Sequence, residues 1–168
     1  MLNLFFIVWL ILPVGSHQES PQTVPAPSNE WRGLVPLLST RADVERLLGK
    51  PVMPPTAFEI YKTETERVDV LYSAGPCGSV RWASWNVAKD VVISLHVIPQ
   101  KTTSIENLRL DPKKYTRIQE SHPNHWFQYR NRDGGVVVHS ILQGKIEYLH
   151  FIEYRPLEKE RSLRCTSK

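Results

Sequence analysis

The chemically versatile residues in this 168-residue chain are six histidines and two cysteines. His96, His139 and His150 fall in segments with strand-like alternation, so they can share one face of a sheet. Three imidazoles with fixed mutual geometry are a zinc-type ligand set. A register slip of one residue sends any of them to the opposite face. The expectation is therefore no metal, with those three as the candidates to inspect. His122 and His125, in "SHPNHW", have H-x-x-H spacing but no acidic or cysteine partner nearby and no H-E-x-x-H helix; they read as a polar loop. There is no G-x-S-x-G elbow. "YSAGPCGS" lacks the Lys-Ser/Thr ending and following helix of a phosphate loop. No catalytic and no cofactor-binding residue is assigned, and no cofactor is expected. Cys77 and Cys165 are an even pair without C-x-x-C spacing, which in an oxidising compartment reads as one disulfide. It would tie the C-terminal tail to the middle of the chain, for about 4–5 kcal/mol by loop-closure entropy.

Aromatic residues crowd the same segments. Tyr148 and Tyr154 share parity and are expected to line one face; with Trp126 they are the candidates for a binding surface. Most of the remaining aromatics are expected to fill the sheet core.

The elements that position these residues follow from local patterning. In "STRADVERLLGKP", Ser39 to Pro51, Thr40 reads as a helix N-cap and Asp43 as its reciprocal acid. Val44, Leu47 and Leu48 form the apolar stripe, Arg41, Glu45 and Arg46 the wet face, and Gly49 and Pro51 the stop. Strands are expected at Phe58 to Lys62, Val68 to Tyr72, Val80 to Trp85, Val91 to Ile98, Tyr115 to Gln119, Trp126 to Arg130, Gly135 to Leu142 and Lys145 to Tyr154. "NVAKD", "NRDGG" and "QG" supply hairpin turns, and Ser104 caps a short helical turn. The fold class is α+β: antiparallel β-meander sheet or sheets with one or two short helices packed on one face.

The first residues, "MLNLFFIVWLILPVGS", carry an apolar run of about 20 Å as a helix, too short for a bilayer core of about 30 Å. Residues 1–16 read as a cleaved signal peptide; an uncleaved N-terminal anchor is the lesser alternative. Residues 17–30 read as a disordered Pro/Ser-rich leader, and 31–168 as a single α+β domain. The net charge of +4 is spread among acids with no basic stripe, so nucleic acid is not expected as a partner.

Thr40 to Pro51 resembles the helix signature of the BamE/SmpA-type outer-membrane assembly lipoproteins and of β-lactamase-inhibitor-protein-like domains. Leu38 stands where those have Gly, and the lipobox Cys is missing. The wider string, "WRGLVPLLSTRADVERLLGKP" with the later Cys, Trp and Val-x-Pro positions and the terminal "LRC", also resembles a group of uncharacterised secreted bacterial proteins. These resemblances imply a secreted or periplasmic bacterial protein that scaffolds or binds at the envelope. A secreted or envelope protein partner and no stable membrane span after cleavage follow as expectations. A small secreted hydrolase or metal-dependent enzyme, using strand histidines or carboxylates, is the alternative.

Overall fold

The computed structural model describes residues 29–53, 56–78, 84–121 and 125–165. The expected signal peptide, the leader up to residue 28 and His122 lie outside these residues. The elements run α1 (Arg41–Leu48), β1 (Phe58–Lys62), β2 (Glu66–Tyr72), β3 (Val92–Pro99), β4 (Tyr115–Gln119), β5 (Trp126–Asn131), β6 (Val136–Gln143) and β7 (Ile146–Tyr154). Single 3-10 turns occupy Ile105–Leu108 and Glu158–Leu163.

Helix α1 begins and ends where its capping residues dictate. The Asp43 carboxylate accepts from the Thr40 amide at 2.9 Å, and the Asp43 amide points back at the Thr40 hydroxyl. Gly49 ends it at φ 81°, a conformation that costs a side-chain-bearing residue energy. Val44 is fully buried and Leu48 packs at the core margin, but Leu47 is 44% exposed and leaves the expected stripe. Arg41 departs further from the wet face. It stands three residues before Val44, hence on the same helical side. Its guanidinium pairs with the fully buried Glu59 and with Asp90 at 3.0 Å, and lies 4.2 Å over the Tyr72 ring. Tyr61 completes this cluster, donating to Glu59 at 2.5 Å and meeting the Tyr72 hydroxyl at 3.0 Å.

Among the described residues seven strands form one antiparallel sheet in the order β1-β2-β3-β7-β6-β5-β4. Two sequential meanders, β1 to β3 and β4 to β7, are joined where β3 pairs with β7. The chain between them, through the Ile105–Leu108 turn, carries β4 to the far edge. The stretch expected as a strand at Val80 to Trp85 is described only at its end. Trp85 there bridges Arg164, and Val91 bridges Thr40.

Alternation sorts the side chains. Val68, Val70 and Tyr72 of β2, with Leu95 and Val97 of β3 and with Tyr154 at its margin, make the core under α1. The opposite face carries Asp69, Leu71, Ser94, His96, Glu153, His139 and Arg130, as the register requires. The C-terminal segment from Pro156 crosses that second face. Cys77 and Cys165 are disulfide-bonded, which anchors the segment beside the loop after β2. Among the described residues no helix is long and apolar enough to cross a membrane.

Candidate functional site

Two cross-strand rows build the second face. Phe58, Leu71 and Ser94 stand opposite one another on β1, β2 and β3. One pleat along, Asp69, His96, Glu153, Val137 and Arg130 stand in line across β2, β3, β7, β6 and β5. Neighbouring strands lie about 4.8 Å apart, so each side chain of a row is within reach of the next.

Between these rows and the C-terminal segment lies a cavity of about 500 Å³. Phe58, Leu71, Ile93 and Trp85 give it an apolar end; Asp69, Ser94, His96, Glu153 and Arg130 continue the floor. Arg155, Pro156, Leu157, Glu158, Arg161 and Arg164 form the wall. The wall is held in place by backbone pairing as well as by the disulfide. The Asn86 amide donates to Leu163 at 2.7 Å, and the Cys165 amide to Ser84 at 3.0 Å. The Arg155 amide donates to Gly135 at 2.9 Å.

Glu153 is the charged centre of the floor. Its carboxylate meets the His139 imidazole at 3.3 Å, Arg155 at 3.7 Å and His96 at 3.9 Å. Burial alone would push this carboxyl up, but the histidine contacts and the Arg155 charge outweigh it and hold the group well below the usual carboxylate range. His139 also lies 4.0 Å from Glu120, which accepts from Gln128. Asp69 is gripped by both arms of Arg67 at 2.7 Å each.

The three candidate histidines do reach one face. His96 and His139 stack on the Phe151 ring at 5.0 and 4.1 Å between centroids, and Phe151 occupies the strand between theirs. A phenyl ring therefore separates the two imidazoles. His150 enters through a bulge: His139 pairs with Phe151 and Ser140 with Leu149, leaving His150 as the extra residue. It stands edge-on to Trp126 at 4.6 Å, and burial together with the nearby His139 lowers its basicity. Among the described residues no group of three His, Cys, Asp or Glu is arranged to hold a metal.

The same bulge separates the two tyrosines expected on one face. Tyr154 packs at the margin of the α1-side core, and burial pushes its hydroxyl up to about 12. Tyr148 pairs with Ile141, which pairs with Trp126 on the opposite face. Trp126 and Tyr148 thus share a face that Tyr154 leaves, because one inserted residue reverses the alternation.

Sequence reasoning missed Glu153, Asp69, Arg130 and Ser94. Each lies in a correctly expected strand, but only the long-range pairing of β3 with β7 puts Asp69, Glu153 and Arg130 in one row, with Ser94 in the row beside it. Ser94, His96 and Glu153 stand together on the floor; no hydrogen bond joins Ser94 to His96.

No family model matches the sequence, and no curated protein matches it. Among solved structures, the fold is similar to that of a DUF4309 family protein, YjgB, from Bacillus subtilis. The identity is 14%, over 77% of this chain and 86% of that one, with a TM-score of 0.48. The molecule belongs to the antiparallel α+β class, with one dominant sheet and one α-helix among the described residues.

Proposed function

We propose that this is an exported, non-enzymatic bacterial protein that binds a ligand or a protein partner of the envelope or the medium in the groove on its second sheet face. The observation that carries the reading is the cavity of about 500 Å³ between the charged rows and the C-terminal segment. That volume is in the usual range for small-molecule sites, which hold an apolar lining and a few placed polar groups. The apolar N-terminal run and the disulfide support export, since such bonds persist in oxidising compartments. The helix resemblance to envelope assembly lipoproteins supports the envelope side of the proposal.

The test uses the oxidised, processed chain. It is incubated with envelope and culture-medium extracts, and what it retains is identified by native mass spectrometry. Leu71→Trp, which fills the groove floor, should lose the retained species. Equal retention by both proteins, or none by either, would refute the groove as the binding site. N-terminal sequencing of exported protein should find the chain starting at His17.

The second reading is a small secreted hydrolase, favoured by the shared position of Ser94, His96 and Glu153. It ranks below binding because no hydrogen bond links the hydroxyl to the imidazole, the geometry a nucleophile and its base need. Ester turnover by the wild type that disappears in Ser94→Ala would reverse this order.

A further inference from the structure

We propose that the groove selects organic anions with an apolar body, such as single-chain carboxylates or phosphates, and seats the anionic head beside Arg130. The inference rests on the binding reading above and assigns it a ligand class.

The argument starts from how the charges of the groove are already used. Asp69 is chelated by Arg67, and Glu158 is paired with Arg161 at 2.6 Å. Glu153 is held by His139 and Arg155. Every carboxylate on the lining thus has a cation against it. Two guanidinium groups on the lining show no such partner among the described residues. Arg130 directs Nε and Nη2 to the Gln128 side-chain oxygen at 2.8 and 2.6 Å, a neutral acceptor that leaves its charge uncompensated. Arg164 engages through its backbone, bridging Trp85. The groove therefore holds a surplus of positive charge, and a guanidinium with free N–H groups recognises carboxylate and phosphate oxygens in a paired fashion.

A second, independent observation is Ser94. It is only 9% exposed, sits on the floor between the apolar end and His96, and its hydroxyl has no hydrogen-bond partner among the described residues. A hydroxyl so placed supplies a donor to a ligand. A third is polarity of layout. Leu71 on β2, Ile93 on β3 and Trp85, each 9% exposed or less, cluster together, whereas Arg130 lies on β5, four strands beyond β2 in the sheet. An occupant needs an apolar part at one end and a negative part at the other. The modest charge surplus suits one anionic head rather than a polyanion.

The experiment is calorimetric titration of the full, disulfide-bonded chain with octanoate, octyl phosphate, 1-octanol and octyltrimethylammonium. One or both anions should bind at least tenfold tighter than octanol, and the ammonium weakest; the tighter anion identifies the head. Arg130→Gln should bring the anions to the level of octanol and leave octanol unchanged. Raising salt on the wild type should weaken the anions and spare octanol, a readout that needs no variant. Equal binding of anions and octanol, tightest binding of the ammonium, or an unchanged ratio in Arg130→Gln overturns the anion class while leaving an apolar site in place. Failure of all four probes to bind overturns both this inference and the groove itself.

Discussion

Replacing Glu153 by Gln removes the charge at the centre of the groove floor and keeps its shape. The carboxylate is 20% exposed and has one histidine at 3.3 Å, with Arg155 and His96 at 3.7 and 3.9 Å. A hydrogen bond to a charged group contributes about 1.5–3 kcal/mol, and the longer contacts in a partly wet site contribute less than that. The expected loss is about 2 kcal/mol near neutral pH. Its pH dependence carries the diagnosis. The folded carboxyl titrates below the unfolded value of about 4.3, so the unfolded state binds the proton first as pH falls. The stabilisation is complete above that value and is lost as pH drops through it. Glu153→Gln lacks this component, so the gap between the two proteins should be about 2 kcal/mol at pH 6–7 and should close as pH falls from about 5 toward 2. Urea unfolding at a series of pH values measures it. A gap that stays constant down to pH 3 would show that the loss is one of packing, and the electrostatic account of the floor would be wrong.

Three further variants probe the two faces of the sheet. Cys77→Ser with Cys165→Ser opens an 88-residue loop and should cost about 4–5 kcal/mol by loop entropy, read as a lower urea midpoint; a loss under about 1 kcal/mol would contradict it. Arg41→Met strands the buried Glu59 charge and should cost about 3–5 kcal/mol, whereas adding Glu59→Leu should recover much of it; additive losses in the cycle would show the two are not coupled. At Gly135 an added Cβ meets Leu157 at 2.5 Å and Asn29 at 2.7 Å. Gly135→Ala should therefore cost about 1–3 kcal/mol and speed amide exchange from Arg155 to Cys165, and unchanged exchange there would separate the C-terminal wall from this contact.

What sequence reading recovered is what short-range chemistry determines. The Thr40–Asp43 box and Gly49 delimit α1 because caps act within a few residues. The β6–β7 hairpin was legible because alternation on both sides of a tight turn specifies both strands. The turn residues are Gly144 and Lys145, one place along from the expected Gln143 and Gly144. Arg41 was misplaced although its spacing from Val44 put it on the apolar side. Periodicity counts apolar residues and passes over a cation whose partner, Glu59, lies on another element. The pairing of β3 with β7 and the bulge at His150 carry no local signature, and on them depend the row through His96 and Glu153 and the parting of Tyr148 from Tyr154.

The core and the candidate site are two sides of the same strands, and this has a consequence for how variants divide. On β2, Val68 and Val70 are fully buried under α1, while Asp69 and Leu71 between and beyond them face the groove. The first face is closed by the amphipathic helix α1, through Val44, Leu48 and the Arg41 ion pairs. The second is covered in part by Leu37 and Trp85, which pack on Leu71 and Ile93, and in part by a C-terminal segment tied through one disulfide and a few backbone bonds. A sheet needs one buried face for stability, and ion pairs near the rim of the second, such as Glu158 with Arg161, contribute only about 0–1 kcal/mol. Among the described residues Arg130 has a neutral acceptor, Gln128, and no carboxylate against it, so under the anion proposal its loss should leave the urea midpoint in place and remove the preference for anions.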